Sequence, residues 1–453
     1  MQPDFSNDDE LVRARFFEAE GVSLSVGVSL GGKTVYEQSF GKANIESNHL
    51  ATPDTPYSVA SVSKPILGTA LAIMIQEGKI DLHEPANRYL TGAQLRALEG
   101  QADGATIARL ANHTSGLPTH YQFITEDDGP APTGEETISR YGNLTRPPGE
   151  AYNYANLGFG FLGSAIENQS GMRLPEFFEE RIFRPLGMSS SFLLDEPIHP
   201  EGAAMRYDEK HNRLPAYITV HPGASDVYAS VRDLLRFGES HFGHVSSPIL
   251  RQETIRRMHE PTGSATIEQI FGITWVRRHT VSGDLVIGHS GGMAGVSTRM
   301  LIVPSRSLVF VTLCNFESSL GDDVLDILLK TAGAELCAPQ PQAATESLLA
   351  EAVGAWRGKI ITYAGECPVC LTVRKDGTVC ADDAETDAKF ENNQIVGTVD
   401  GQIPTPDAAR IEHKMALDLQ YRGDRLTGSV SALTVDGARV RNRIAYPAHL
   451  DRA

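Results

Sequence analysis

A serine and a lysine, Ser61 and Lys64, stand three residues apart at the start of a long apolar stretch of helical period. Apolar residues recur at the spacing of a helix face until Gly78, which predicts that the helix ends there. Pro65 is tolerated only in the first turn of a helix, so this helix should begin close to Ser61. Residues three apart share one helix face, which brings the Ser61 hydroxyl beside the Lys64 amine. A lysine whose pKa is lowered by burial can remove the proton of a serine and so produce a nucleophile.

The surrounding sequence predicts an α+β fold. Val22–Leu30 and Lys33–Phe40 are typical of two strands, and the Gly-Gly pair between them favours a tight hairpin turn. Residues 80–260 carry helical periods and loops. Strands are predicted again at 271–276, 285–287, 298–303 and 308–313, followed by a helix at 322–332. This order indicates an antiparallel sheet built from both ends of the region, flanked by helices and interrupted by an inserted helical region.

A second polar pair, Tyr154 and Asn156, follows a Pro-Pro-Gly turn signal at 147–149. Side chains two apart on an extended segment point the same way, so both should face one site. A cation near a phenol favours the phenolate, so Tyr154 could pass a proton between Ser61 and a leaving group. Asn156 could hold Lys64 and a substrate carbonyl.

A third group, at 288–292, reads Gly-His-Ser-Gly-Gly. It ends the strand-like run 285–287 and leads toward another at 300–303. Small residues allow a backbone to pass close to a ligand. An N–H at the edge of this segment, that of Gly292, could pair with the Ser61 N–H as an oxyanion hole.

In this order the three groups resemble the motifs of the serine β-lactamase and penicillin-binding-protein superfamily. The Tyr-x-Asn form of the second group is similar to the class C-like branch. The resemblance covers residues 10–335. Four further stretches are similar to that branch: Asn112–Pro118, Arg184–Met188, Ser230–Leu234 and Phe271–Trp275.

The resemblance implies a serine hydrolase that works through an acyl-enzyme. Ser61 would attack a carbonyl while Lys64 and Tyr154 remove its proton, and the N–H groups of Ser61 and Gly292 would hold the oxyanion. Tyr154 would then protonate the leaving group, and His289 would orient Tyr154 or help to bind the substrate. No cofactor or metal ion is expected. The expected substrate-binding residues are Asn156, Ser290 and Gly291.

One departure from the superfamily pattern concerns the substrate. His289 stands where β-lactamases carry the lysine that helps to bind the carboxylate of a β-lactam. The histidine therefore favours the D-aminopeptidases, amidases, esterases and acyltransferases of the branch, and we expect an amide or peptide containing a D-amino acid. A carboxylesterase, an acyltransferase or peptide-cyclising thioesterase, and a non-catalytic penicillin-binding-like sensor remain alternatives.

The third group also fits G-x-S-x-G, the nucleophile elbow of α/β-hydrolases. That motif requires a strand, a sharp turn and a helix that begins after the serine. Residues after Ser290 are glycine-rich and then strand-like. The sequence therefore favours Ser61 over Ser290 as the nucleophile.

Composition and charge exclude several classes of partner. The 453-residue chain has a formal net charge of −17 and no basic cluster, so neither nucleic acid nor an anionic membrane is expected as a partner. The N-terminus is acidic and has no apolar core typical of a secretory signal, which predicts a cytoplasmic protein. A small-molecule or peptide substrate is the expected partner, and a homo-oligomer is left open.

The chain changes character near residue 338. The sequence predicts a catalytic domain at 1–337, a proline-containing linker at 338–345 and a lipocalin-like barrel at 346–453. Gly354-Ala355-Trp356 is similar to the first-strand Gly-x-Trp of lipocalin-like barrels. Asp-Gly pairs at 376, 400 and 436 predict hairpin turns. The strand-like runs are 371–374, 394–399, 416–421, 426–430 and 439–445.

An odd number of cysteines argues for free thiols rather than a disulfide framework. Cys367 and Cys370 have the C-x-x-C spacing of redox and zinc sites, but a fourth nearby cysteine ligand is missing, so incidental thiols are favoured. The five are Cys314, Cys337, Cys367, Cys370 and Cys380.

Overall fold

A computed structural model describes residues 3–262, 270–338, 347–381 and 384–453. Contacts divide the chain into two units. The first unit comprises Met1–His83, Ile124–Ala131 and Leu162–Ala338, and the second comprises Glu84–Phe123, Pro132–Phe161 and Pro339–Ala453. The linker expected at 338–345 lies, apart from Ala338, outside the described residues, and the domain boundaries stay a prediction.

The first unit is built on a seven-stranded antiparallel sheet. The expected hairpin is present, and Gly31 and Gly32 turn the chain with φ of 60° and 77°, a left-handed pair that glycine adopts without strain. In spatial order the strands are Val276–His279, Leu285–Met293, Val296–Val303, Leu308–Cys314, Ser23–Leu30, Lys33–Asn44 and His49–Leu50.

Helices cover both faces of this sheet, and its strands Ser23–Leu30 and Leu308–Cys314 are buried on both sides. Val26 and its alternate neighbours share a core with Val324 and Leu328 of the helix Leu320–Thr331. Gly27 points to the opposite face, where a Cβ would lie 2.9 Å from a methyl carbon of Leu235. The described α-helices of the first unit are Asp8–Glu18, Ser63–Gln76, Leu174–Phe178, Arg184–Leu186, Pro222–Ser225, Val231–Glu239, Gln252–His259 and Leu320–Thr331, and Asn156–Ser170 runs past its boundary.

A small three-stranded sheet in the same unit holds the segment of the chain that leads into Ser61. Val227–Ala229 is its central strand, flanked by Tyr57–Ser58 and Phe192–Leu193. Tyr57–Ser58 is separated from Ser61 by only Val59 and Ala60, so this pairing fixes where the nucleophile turn begins. Two other short strands are Phe123–Thr125 and Tyr217–Thr219.

One strand was wrongly expected in this unit. Residues 271–276 do not form a strand, because Thr274 has a φ of 65°, a left-handed value that an extended segment cannot accommodate. Phe271 instead bridges to Val276 across a tight turn, and the strand occupies Val276–His279.

The second unit contains a closed antiparallel barrel of eight strands. Together with the antiparallel sheet and helices of the first unit, it confirms the α+β fold with a C-terminal barrel. Trp356 is fully buried, and its indole N–H donates to the Ala352 carbonyl at 2.9 Å. The strands are Gly354–Thr362, Gly365–Val373, Thr378–Ala381, Ala384–Glu391, Gln394–Val399, His413–Tyr421, Arg425–Thr434 and Arg443–Arg452.

Two details of the barrel differ from expectation. Asp400 and Gly401 begin a longer connection, which contains a 3-10 turn at Ala408–Arg410, rather than a hairpin turn. The last strand begins at Arg443 instead of 439, because the connection after Thr434 continues past Asp436 and Gly437.

Segments from the middle of the chain complete the second unit. The Tyr121 and Arg443 backbones exchange hydrogen bonds of 3.0 and 2.8 Å, so Tyr121 pairs with the start of the last barrel strand. Arg146 forms an ion pair with Asp418 of the barrel. The helices of this unit are Ile107–Ala111, Gly134–Tyr141 and Leu349–Ala352, and its short parallel strands are Arg96–Ala97 and Asn143–Leu144.

The cysteines are free thiols, as expected. Cys367 and Cys370 lie three apart on one strand, and because side chains alternate across a strand they point to opposite faces. The part of the chain that the structure describes contains no group of three or more metal-ligating side chains. No helix within the described ranges has both the length and the apolar character that crossing a membrane requires.

Loss of the Trp356 ring should destabilise the barrel. Trp356→Ala removes a fully buried indole that also lies 5.0 Å from the Arg452 guanidinium. Truncations of this kind lower the free energy of unfolding by about 3–5 kcal/mol. Urea unfolding followed by circular dichroism measures the change. Lys375→Ala, at an exposed position of the same barrel, should stay within about 0.5 kcal/mol of the parent protein, and an equal loss in both variants would contradict a buried structural role for Trp356.

Candidate active site

The nucleophile turn connects the short strand Tyr57–Ser58 to the helix Ser63–Gln76 through a 3-10 turn at Ala60–Val62. Ala60, next to Ser61, has a φ of 45°. A non-glycine residue in this region costs about 1–3 kcal/mol and persists only where its neighbours hold it. Val59 is held on both sides: its N–H donates to the Val227 carbonyl at 2.9 Å, and its carbonyl accepts from the Thr298 hydroxyl at 2.9 Å.

Lys64 reaches back from the first helical turn to Ser61, as the spacing predicted. Lys64 Nζ lies 2.8 Å from Ser61 Oγ and donates to the Ala224 carbonyl at 3.1 Å. Lys64 is 0% exposed, and burial lowers its pKa well below the usual value, an effect that the charge of Asp226 partly opposes. A neutral amine within hydrogen-bond distance of a serine hydroxyl is equipped to act as its general base.

The third motif lies within the strand Leu285–Met293 instead of ending a strand. Its glycine at 291 passes directly against the nucleophile turn: a Cβ on Gly291 would lie 2.3 Å from the Val59 carbonyl oxygen and 2.2 Å from Thr298 Oγ1. Glycine is therefore required here.

The neighbouring strand Val276–His279 pairs only as far as Gly288, so beyond that point this edge of the motif strand is not paired to another described strand.

His289 is buried and neutral. Burial, with a smaller contribution from the charge of Lys64, lowers the pKa of His289 to about 3. His289 Nδ1 lies 2.7 Å from the Ser290 carbonyl oxygen. Because a carbonyl oxygen can only accept, Nδ1 carries the hydrogen, and Nε2 is the acceptor nitrogen of the ring. At neutral pH this position therefore lacks the positive charge that a lysine would supply.

The second motif belongs to the second unit, where Tyr154 is held by a histidine. The Tyr154 ring stacks on His113 with 4.3 Å between ring centroids. His113 Nδ1 accepts the Ala155 N–H at 3.0 Å. Asn156 is not in the extended loop but is the first residue of the helix Asn156–Ser170, and its amide donates to the His120 carbonyl at 3.4 Å.

His113 and His120 were not singled out as site residues from the sequence. His113 has a φ of 63°, which directs its ring under Tyr154, and the signal that pointed to it was the stretch Asn112–Pro118 in which it stands. His120 links the motif to the barrel, because its Nδ1 accepts the Ala445 N–H at 3.2 Å. No local signal in the sequence marks His120.

The structure thus places the expected site residues in two groups. Ser61 and Lys64 lie in the first unit, which also contains the third-motif residues His289, Ser290, Gly291 and Gly292. Tyr154 and Asn156 lie in the second unit, so their approach to Ser61 stays a prediction. The alternative elbow geometry at Ser290 is absent, since the strand continues through Met293 and a turn then leads into Val296–Val303.

The sequence pattern of the beta-lactamase family matches residues 9–335. The chain belongs to the beta-lactamase family. Its homologues are serine hydrolases of the β-lactamase and penicillin-binding-protein superfamily.

Among curated relatives, the unguisins hydrolase of Aspergillus campestris is 26% identical over 65% of this chain, which spans 58% of that protein. The D-alanyl-D-alanine-carboxypeptidase/endopeptidase AmpH of Escherichia coli is 26% identical over 73% of this chain and 91% of its own length. The D-aminopeptidase of Brucella ovis is 26% identical over 69% of this chain and 60% of its own length.

Two solved structures share the fold over nearly the whole chain. The structure of SurE with D-Leu aligns with a TM-score of 0.64 at 19% identity and covers 99% of both chains. The octameric penicillin-binding protein homologue from Pyrococcus abyssi aligns with a TM-score of 0.62 at 20% identity and covers 98% of this chain and 100% of that one. Both alignments extend over the barrel.

Covalent labelling distinguishes Ser61 from Ser290. A fluorophosphonate probe should label the parent protein and Ser290→Ala, because Ser290 lies at an exposed position of a strand that continues through Met293, which is not the geometry of an elbow. Ser61→Ala should not be labelled, since Lys64 then has no hydroxyl to activate. Intact-mass spectrometry measures the adduct. Labelling of Ser61→Ala together with its loss in Ser290→Ala would assign the nucleophile to the third motif.

Proposed function

We propose that this protein is a serine hydrolase that acts through an acyl-enzyme on an amide or peptide containing a D-amino acid. The observation that carries the proposal is the 2.8 Å separation of Lys64 Nζ from Ser61 Oγ, at a lysine that is fully buried. Burial lowers the pKa of Lys64 well below its usual value, which favours the neutral amine, and such an amine can activate the serine beside it as a nucleophile.

In the proposed acylation, Ser61 Oγ attacks the substrate carbonyl carbon while its proton passes to Lys64 and Tyr154. The carbonyl oxygen becomes an oxyanion, which the N–H groups of Ser61 and Gly292 stabilise. Tyr154 donates the proton to the leaving nitrogen, the C–N bond breaks, and the acyl group remains on Ser61. Water, deprotonated by the same pair, attacks the ester, and Ser61 recovers its proton as the acid leaves.

Asn156, Ser290 and Gly291 are proposed to bind the substrate backbone. Ser290 is exposed and Gly291 brings the strand against the nucleophile turn, so the strand edge beyond Gly288 can pair with an extended peptide. His289 is proposed to accept a hydrogen bond at Nε2, from Tyr154 or from the substrate, as a neutral ring.

Because His289 is neutral, we also propose that the substrate has no carboxylate bound next to His289. A lysine there would attract a carboxylate, whereas burial keeps the pKa of His289 at about 3 and its ring uncharged. Relatives named as a D-aminopeptidase and a D-alanyl-D-alanine-carboxypeptidase/endopeptidase, and a fold relative solved with D-Leu, support the D-configuration.

The barrel is proposed to shape access to the site rather than to perform chemistry. Its last strand donates an N–H to His120, whose carbonyl accepts from Asn156, so the barrel supports the loop that carries the second motif. Its residues include no serine–lysine pair comparable to Ser61 and Lys64 among those described.

Substrate preference tests this proposal directly. Purified protein should hydrolyse D-amino-acid amides faster than their L-enantiomers, and should turn over a cephalosporin more slowly than either, because His289 supplies no cation for its carboxylate. Initial rates with paired D- and L-amides measure the preference, with a p-nitrophenyl ester as a control for an active acylation step. Ester turnover with equal rates for the two enantiomers would refute a D-specific site.

Lys64 and Tyr154 should behave as one proton-transfer unit. Lys64→Met and Tyr154→Phe should each lower kcat by about 10²–10⁴, the usual effect of losing a general base. Because residues that act as a unit are not additive, the double variant should be little slower than the slower single variant. Steady-state kinetics with one D-amide measure all three. A double variant whose loss equals the product of the single losses would show that the two residues act independently.

A further inference from the structure

A short segment, Ala224–Val227, holds the nucleophile turn from behind. The Ala224 carbonyl accepts from Lys64 Nζ at 3.1 Å. The Val227 N–H donates to Ser63 Oγ at 3.1 Å, and the Val227 carbonyl accepts from the Val59 N–H at 2.9 Å. The segment therefore contacts the chain on both sides of Ser61, and its position sets where the Lys64 amine stands.

Asp226 lies in the middle of this segment and is buried. Its carboxylate accepts the Thr219 N–H at 3.2 Å and the Thr219 hydroxyl at 2.6 Å. Its own N–H donates to the Pro222 carbonyl at 3.1 Å, and its carbonyl accepts the Leu194 N–H at 3.0 Å. A buried carboxylate is costly unless it is hydrogen-bonded, so this side chain ties the segment to the strand Tyr217–Thr219.

The charges around Asp226 come from several elements. The Arg206 guanidinium is buried, lies 3.3 Å from the centre of the Tyr217 ring and donates to the Tyr217 carbonyl. Arg206 and Lys64 both favour the ionised form of Asp226, whereas the phenols of Tyr217 and Tyr228 are neutral because burial raises their pKa values.

The charge of Lys64 acts on both Asp226 and His289. Burial lowers the pKa of Lys64, and the negative charge of Asp226 opposes that shift. Burial also raises the pKa of Asp226 to about 7, a shift limited by the Thr219 hydrogen bonds, Arg206 and Lys64. His289 stays neutral above about pH 3, so it adds no titration to this pair near neutral pH.

We propose that Asp226 is a positioning residue for the general base: it fixes the Ala224–Val227 segment against the nucleophile turn, so that the Ala224 carbonyl holds the Lys64 amine beside Ser61, and its carboxylate acts on that amine through its charge. This inference rests on the proposed function, because it assigns Asp226 a role in the acylation of Ser61. Asp226 does not contact the substrate; it acts through Lys64.

The sign of the effect follows from the charge. A carboxylate near Lys64 favours the protonated amine, so its removal lowers the pKa of Lys64 and frees the base at lower pH. Asp226→Asn retains a carbonyl oxygen that can accept from Thr219. The acid limb of the pH profile for Ser61 labelling should therefore move to lower pH by about one unit, on the scale of a neighbouring opposite charge.

A second variant keeps the carboxylate and alters its partner. Thr219→Val removes the hydroxyl that lowers the pKa of Asp226. Asp226 then stays protonated to higher pH, carries less negative charge on average, and should shift the acid limb in the same direction by a smaller amount. This variant tests the inference even where Asp226→Asn folds poorly.

Asp233→Asn is the matched control. Asp233 is also a buried acid, but its carboxylate accepts from the Ser190 N–H at 2.8 Å, from the Ser191 hydroxyl at 2.9 Å and from Arg236 at 3.1 Å. Its loss should lower the melting temperature and leave the acid limb in place. A shift in all three variants would mean that a general loss of stability moves the profile, which overturns the role assigned to Asp226.

The experiment measures the second-order rate of fluorophosphonate labelling at Ser61 between pH 5 and 9 in the full-length chain, with melting curves for each variant. Acid limbs in Asp226→Asn and Thr219→Val that coincide with the parent limb would overturn the inference and leave the proposed function intact. Absence of Ser61 labelling in the parent protein at every pH would instead refute the proposed function, before any variant is compared.

Discussion

The amine of Lys64, buried within hydrogen-bond distance of Ser61, is the interaction on which the rest of the site depends. Burying an unpaired ammonium group costs free energy, so burial favours the neutral base that the proposed chemistry requires. The same burial requires that the amine be held by polar partners. The Ala224 carbonyl and the Ser61 hydroxyl meet that requirement, and both lie on segments whose positions are set by the three-stranded sheet and by Thr298.

The strained backbone conformation at Ala60 is held by contacts with neighbouring strands. The chain enters the helix through a left-handed residue directly before the nucleophile, so the turn would relax if it were free to do so. Hydrogen bonds to Val59 from two different strands, and the close passage of Gly291, oppose that relaxation. The packed sheet thus maintains a local conformation that the turn alone would not adopt.

The residues that sequence reasoning placed correctly are those whose geometry is local. Ser61 and Lys64 meet because their spacing matches one helical turn, and the Gly31-Gly32 hairpin forms because its turn conformation suits glycine. Asn156 was assigned to an extended loop, yet it begins a helix, since the apolar period after it already reaches back to that residue. Thr274 interrupts the expected strand because it adopts a left-handed φ, a conformation that a threonine in the sequence does not predict.

Partners from distant parts of the chain could not be predicted in the same way. His113 stands under Tyr154, and Asp226 stands near Lys64, because of how segments far apart in sequence pack and pair. No rule of sequence spacing predicts either contact. The buried carboxylate of Asp226 would have been expected on the surface from composition alone, and a folded structure is needed to see that Thr219 compensates for its burial.

The assembly of the second unit from distant segments has a consequence for the order in which the protein matures. Tyr121 and His120 take their hydrogen-bond partners from Arg443 and Ala445, which the ribosome adds more than three hundred residues later. A chain still being synthesised can form the Gly31-Gly32 hairpin early, but the loop that carries Tyr154 has to wait for more than two hundred further residues. Contacts of such long sequence separation form late in folding. The second motif therefore acquires this support only after the last barrel strand has been synthesised, long after Ser61 and Lys64 have left the ribosome.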